Sequence, residues 1–193
     1  MTTMKKKLLH AAAIASIAMA GLSCSSELTD SAAPVELIVT NNQLLSRVDL
    51  DPTVEDPDCA QDVGTINMQV IAKNENATGP FVQVRVNRYR VSYRRVDGGS
   101  IVPAPFVRSM DTLIGVGGSA VGSNFTIVQG DALLQAPFVA LQPQNGGRDP
   151  ETGRPVVQME VVVEVFGETL GGDNVYDATS FPLEFCYSCN GCS

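Results

Sequence analysis

The side chains best equipped for chemistry lie at the end of this 193-residue chain. Cys186-Tyr187-Ser188-Cys189-Asn190-Gly191-Cys192 is a C-x2-C-x2-C run, and Cys59 is a further thiol ahead of it. Thiolates so spaced can hold zinc or seed an iron–sulfur cluster, with Cys59 as fourth ligand. They can equally form two structural disulfides, one joining Cys59 to the tail and one closing within it. Spacing alone does not choose among the pairings. Disulfides are the expectation for Cys59, Cys186, Cys189 and Cys192, because the N-terminus described below directs export, and export exposes thiols to oxidation. A long bridge to Cys59 contributes about 4 kcal/mol by restricting the unfolded chain. No histidine follows a C-x-x-C, so covalent haem attachment is excluded.

Other catalytic chemistries are thinly supplied. The only histidine, His10, lies in the N-terminal segment, and there is no tryptophan. Removal of that segment takes away Ser-His-Asp and Cys-His catalysis and every His-ligated metal. Asp49, Asp51, Glu55, Asp56, Asp58 and Asp62 cluster around two prolines. Hard oxygen ligands on a loop suit calcium, and Asp49, Asp51, Asp56 and Asp58 are weak candidates for it. A solvated acidic loop is the expectation, with no metal and no cofactor assigned. Gly115-Val116-Gly117-Gly118-Ser119-Ala120 matches G-x-G-x-x-A, but strand-like Phe125-Thr126-Ile127-Val128 follows where a phosphate-binding helix would open. An inter-strand loop is expected there. Paired carboxylates could serve a polysaccharide-processing enzyme, but 21 acidic residues always contain some plausible pair, so this is the least favoured reading.

Arg85, Arg88, Arg90 and Arg94 form a local positive stripe on a chain of net charge -8. The stripe could grip an acidic protein, a lipid phosphate or a polysaccharide. Its expected role is cross-strand pairing with Glu160 and Glu164, which share its outward phase. Tyr89, Tyr93, Tyr176 and Tyr187 are available for stacking on a sugar. The acidic balance repels phosphate backbones, so no nucleic-acid partner is expected.

Strands must position these groups, since period-two alternation dominates the chain. Val35, Leu37 and Val39 form one apolar face, and Leu44 to Leu50 reads as a second strand. Ile66, Met68, Val70 and Ala72 form another face, and Val157, Met159, Val161, Val163 and Val165 the clearest one. Between them, Val82, Val84 and Val86 are apolar on even positions, whereas Tyr89, Val91 and Tyr93 are apolar on odd ones. A one-residue slip reverses every side chain, so a continuous strand needs a β-bulge near Asn87-Arg88. That bulge puts all four stripe arginines on the solvent face. Short strands are also expected at Leu113-Ile114, Phe125–Val128 and Phe138–Leu141, and Gly171-Gly172-Asp173-Asn174 turns into a final strand carrying Phe181, Leu183 and Phe185. About seven to eight short strands between turn signals predict an all-β fold, a single antiparallel β-sandwich. The strand count and spacing resemble immunoglobulin-like or fibronectin-type domains of bacterial surface proteins, without their Cys-Trp-Cys signature.

The N-terminus sets the compartment. Lys5-Lys6-Lys7 precedes an apolar run from Leu8 to Leu22, which is secretory-signal length and short of the about twenty residues that span a bilayer. Ala18-Met19-Ala20 offers a general signal-peptidase site and a free periplasmic or secreted protein. Gly21-Leu22-Ser23-Cys24 resembles the lipobox of bacterial lipoproteins, with Gly21 and Leu22 departing from the usual residues while Ser23 and Cys24 fit. The resemblance implies that Cys24 is the acylated first residue. Parity agrees: of five cysteines, acylation of Cys24 leaves an even number for disulfides. The expected organisation is a signal peptide over 1–23, a polar tether over 24–33 and a β-sandwich with a Cys-rich tail over 34–193. By the same resemblance, Ser25 after the cysteine favours the outer membrane or cell surface. The chain thus reads as an envelope lipoprotein, a non-catalytic interaction or structural module. Its expected partners are the membrane, through the lipid, and an envelope protein or polysaccharide. The alternative is a Cys-rich metal-binding or redox protein of the envelope.

Overall fold

The computed structural model describes residues 32–41, 47–51 and 64–189. The lipobox with Cys24, the acidic residues Asp56 and Asp58, and Cys59 and Cys192 lie outside the described residues. Among the described residues are eight strands: β1 (Val35–Asn41), β2 (Arg47–Asp49), β3 (Gly64–Ala72), β4 (Val84–Arg95), β5 (Phe106–Ile114), β6 (Ser119–Phe125), β7 (Val156–Thr169) and β8 (Asn174–Cys186). They form a three-stranded sheet, ordered β1-β3-β6, and a five-stranded sheet, ordered β2-β8-β7-β4-β5. The inner faces of both contribute to one hydrophobic core, with Leu37, Met68 and Val70 from the first sheet and Val91, Val161 and Phe185 from the second. The fold is all-β.

Period two explains the strands that the pattern predicts. In β7, Val157, Met159, Val161, Val163 and Val165 are all fully buried, alternating with partly exposed neighbours. Burying these side chains supplies about 1.5–3 kcal/mol each relative to exposure, more than strand propensity alone. The bulge in β4 stands where the apolar phase changes. Val86 pairs with Gly167 and Arg88 with Phe166, so Asn87 is the extra residue, and the register with β5 shifts at the same point. Val84 and Val86 before it and Tyr89, Val91 and Tyr93 after it are therefore all buried. Gly167 is required opposite the bulge: a Cβ there would lie 2.9 Å from the Arg85 carbonyl oxygen and 3.0 Å from Val84 Cγ1.

Cross-sheet hydrogen bonds lace the layers. The Tyr93 hydroxyl donates to the Ile127 carbonyl, and the Tyr89 hydroxyl accepts from Thr126 N–H at 3.1 Å, both in the segment after β6. Burial raises the Tyr93 pKa, which keeps that hydroxyl a proton donor. On the far side, Val39 N–H in β1 donates to Asp177 Oδ2 in β8 at 2.6 Å.

The structure differs from the predicted strands in four places. First, β2 runs parallel to β8, Val48 opposite Phe185, so the fold is not wholly antiparallel. Its sequence neighbour β1 belongs to the other sheet, so no hairpin dictates the direction of β2. Second, Leu113-Ile114 is the end of a nine-residue strand, β5, whose exposed edge position hides the alternation. Third, Phe125 ends β6 rather than opening a strand. Fourth, Phe138–Leu141 is a 3-10 turn. Phe138 and Leu141 lie three residues apart, which a 3-10 turn places on one side, and both are buried, with Phe138 4.9 Å from the Phe185 ring.

Candidate functional site

The outer face of the five-stranded sheet carries the arginine stripe, with β4, β7 and β8 supplying successive rungs. In register, Arg94 lies beside Glu160, Arg90 beside Glu164, Arg88 beside Phe166 and Arg85 beside Glu168. Arg94 Nε donates to Glu160 Oε2 at 2.8 Å, and Ser180 Oγ donates to Glu160 Oε1 at 2.8 Å. The Ser180 hydrogen bond first, and Arg94 second, hold Glu160 below its usual carboxylate pKa. Arg90 Nη1 lies 3.2 Å from Glu164 Oε2, and Arg85 Nε 3.6 Å from Asp111 Oδ1 on β5. Exposed pairs like these contribute about 0.2–1 kcal/mol. The cross-strand pairing read from the outward phase is thus present for Arg90 and Arg94.

Arg88 is held differently. Its guanidinium carbon lies 4.9 Å from the Phe166 ring centroid, and Phe166 stacks on Tyr176 at 6.2 Å with 23° between the planes. Guanidinium, phenyl and phenol thus occupy one rung across three strands, with Tyr176 42% exposed. Tyr89 and Tyr93 are buried and Tyr187 half-buried, so of the four tyrosines considered for stacking only Tyr176 is exposed on this face.

Beyond the aromatic rung an open groove of about 330 Å³ is lined by Arg85, Asn87, Glu168 and the turn Thr169–Gly172. The turn's own backbone is satisfied: Leu170 N–H donates to the Gln83 carbonyl at 2.9 Å and Gly171 N–H to the Phe81 carbonyl at 2.8 Å. The side chains are less engaged. Asn87 Oδ1 accepts from Arg88 Nη1 at 3.4 Å, leaving its amide hydrogens free, and the Glu168 carboxylate has no partner among the described residues.

The cysteine tail is built around Asp49. Cys186, the last residue of β8, is disulfide-bonded to Cys189, one of the two bridges expected there. The buried Asp49 carboxylate accepts from three backbone amides: Ser188 at 2.9 Å and Asp51 at 3.0 Å on Oδ1, and Cys189 at 2.9 Å on Oδ2. Asp51 accepts from the Ser188 hydroxyl. Of the four calcium candidates, the two described ones, Asp49 and Asp51, accept hydrogen bonds from the tail, and among the described residues no group of three or more His, Cys, Asp or Glu is placed to hold a metal ion. Ser119 and Ala120 of the Gly115–Ala120 motif open β6, and Gly115–Gly118 forms the turn between β5 and β6. Its amides are spent internally, Gly117 N–H on the Val70 carbonyl at 2.8 Å and Gly118 N–H on Gly115 at 2.9 Å, so neither is left to bind phosphate.

One further cluster carries no sequence motif. The Arg95 side chain is 2% exposed and forks onto Asp97, Nε to Oδ1 at 2.7 Å and Nη2 to Oδ2 at 2.9 Å. Nη2 also reaches Asp149 Oδ2 at 2.8 Å, and Nη1 the Ile101 carbonyl at 3.2 Å. Gly99 gives the guanidinium its room, since a Cβ there would collide with Cζ and Nη2. Burial opposes the charge on Asp97, but Arg95 and the N–H groups of Gln158 and Gly99 outweigh it and hold its pKa at about 2. Burial opposes the charge on Asp149 too, and there Arg95 together with the Thr152 hydroxyl and N–H outweighs it and lowers the pKa. The one signal in the sequence is phase: after Tyr89, Val91 and Tyr93, position 95 points inward. The cluster joins the end of β4 to the loop before β7, and its guanidinium is spent on the two carboxylates, which makes it a structural lock. No protein-family model matches this chain, and no curated protein matches it.

Proposed function

We propose that this chain is a bacterial envelope lipoprotein, acylated at Cys24 and held at the outer membrane or cell surface. Its sandwich acts as a non-catalytic interaction module. The observation that carries the reading is the Cys186–Cys189 disulfide. It belongs to an oxidising compartment, and it leaves Cys24, Cys59 and Cys192 to be accounted for. Acylation of Cys24 leaves Cys59 and Cys192 as a pair. Several acyl chains make anchoring effectively permanent, because one chain binds a bilayer only marginally.

We read the sandwich as immunoglobulin-like. Two sheets of three and five strands around one core support that reading, as does the crossing between sheets at Gly115–Gly118. The non-catalytic reading rests on the engagement of the polar clusters: Asp49 holds backbone amides, and Arg95, Asp97 and Asp149 hold each other. The open polar side chains lie on the outer face of the five-stranded sheet, which is the contact surface in this reading.

The test is the intact mass of protein from the native host, alkylated without reduction. A chain beginning at a triacylated or diacylated Cys24 with no alkylated thiol is expected. A chain beginning at Gly21 with reactive thiols defeats the lipoprotein reading and returns the terminal cysteines to metal or redox chemistry.

A further inference from the structure

The end of the outer face near the β4 bulge combines two features found together nowhere else among the described residues. A flat aromatic pair, Phe166 and Tyr176, stands one rung away from the groove holding Arg85, Asn87 and Glu168. Along β7 the two rungs are two residues apart, roughly 7 Å. The groove offers donors on Arg85, both donors and an acceptor on Asn87, and an acceptor on Glu168. Opposite charges face each other across it without closing into an ion pair, as Arg85 reaches Asp111 at 3.6 Å instead.

We propose that this end of the sheet binds a neutral oligosaccharide, one sugar ring resting on Tyr176 and the hydroxyls of the next held by Arg85, Asn87 and Glu168. The chemistry selects this class. A hydroxyl both donates and accepts, so a row of them needs the mixed set that the groove provides. The apolar face of a pyranose needs a flat, half-exposed ring, because such sites orient ligands by a few polar groups beside apolar surface. Glu168 disfavours a phosphate or uronate in the groove, and the chain's net charge of -8 adds to that repulsion at longer range. Arg85 disfavours a cation. Phe81, 71% exposed, and Leu170 border the same turn and extend the apolar rim.

The inference rests on the module reading above but fails separately from it. Calorimetric titration of the full mature chain would use neutral glucose, mannose and N-acetylglucosamine hexasaccharides, with a hexagalacturonate and an extended-peptide library as opposing probes. Saturable binding of at least one neutral hexasaccharide is expected, with Kd on the order of 0.1–1 mM. Tyr176→Ala and Glu168→Ala should each weaken it by about tenfold or more, a loss of about 1.4 kcal/mol. Tyr176→Phe and Arg94→Ala, the latter at the far end of the face, should leave it unchanged. The proposal is overturned by no neutral binding up to about 10 mM, by tighter binding of hexagalacturonate or a peptide, or by indifference to Tyr176→Ala and Glu168→Ala. Such a failure in a chain still acylated at Cys24 removes the ligand and leaves the anchored module standing. Neutral binding by an unacylated chain does the reverse.

Discussion

Arg95→Met is the sharpest perturbation of this fold. The guanidinium makes two bonds to Asp97, one to Asp149 and one to the Ile101 carbonyl. Methionine keeps much of the stem and removes the charge, leaving two carboxylates, 1% and 0% exposed, without a cation. Each retains some donors: Gln158 and Gly99 N–H on Asp97, and Thr152 N–H and Oγ1 on Asp149. Asp149 Oδ1 has no partner among the described residues even with Arg95 present. Removing one member of a buried pair costs about 3–5 kcal/mol. That is about a fifth or more of the roughly 5–15 kcal/mol that holds a domain together. The pH dependence gives a second handle. In the native protein Asp97 is held at about 2, against 3.8 when unperturbed. Its contribution is therefore complete above about pH 4 and is lost as pH falls towards about 2, a swing of about 2 kcal/mol. In Arg95→Met the burial that opposes ionisation no longer meets a guanidinium. The folded carboxylates then bind protons more readily than the unfolded ones, and the variant recovers part of its deficit as pH is lowered. Urea unfolding followed by far-UV circular dichroism, with disulfides intact, should show the full deficit at about pH 7 and a smaller one at about pH 4.5. A deficit below about 1 kcal/mol at neutral pH, or one that does not change with pH, refutes the reasoning.

Other positions carry independent expectations. Gly99→Ala drives a methyl into the buried guanidinium and should cost about 1–3 kcal/mol in the same unfolding assay, with little further loss when combined with Arg95→Met. Gly167→Ala meets the Arg85 carbonyl at the bulge, backbone that cannot rotate aside, as well as Val84 Cγ1, and should lower the midpoint at least as much as Gly99→Ala. Asp49→Ala strips the acceptor from Asp51, Ser188 and Cys189 N–H, costing about 1–3 kcal/mol, and should speed reduction of Cys186–Cys189 by dithiothreitol; an unchanged reduction rate counts against the clasp. Glu164→Ala removes only an exposed partner of Arg90 and should change stability by less than about 1 kcal/mol.

Sequence alone determined the features that depend on local periodicity. The slip of apolar phase in β4 located its bulge, because side chains alternate strictly and a phase error would bury arginine and expose valine. The same alternation marked the buried face of β7 and the outward side of Arg85, Arg88, Arg90 and Arg94. Continued two residues further, it would have placed Arg95 inward as well. Periodicity is silent where a segment is short or lies at an edge. Four apolar residues from Phe138 to Leu141 fit a strand as well as a turn, and only Phe185 in the facing core decides for the turn. Nor does local pattern carry direction or distant company. The parallel run of β2 follows from where β8 ends, and the Asp49 clasp joins residues 139 apart. Asp149 reaches Arg95 across 54 residues, and the groove draws on β4 and the β7–β8 turn. Such groups meet because burying both sheets' apolar faces in one core fixes which strand ends and loops come together, and polar partners within reach are then paired or left open.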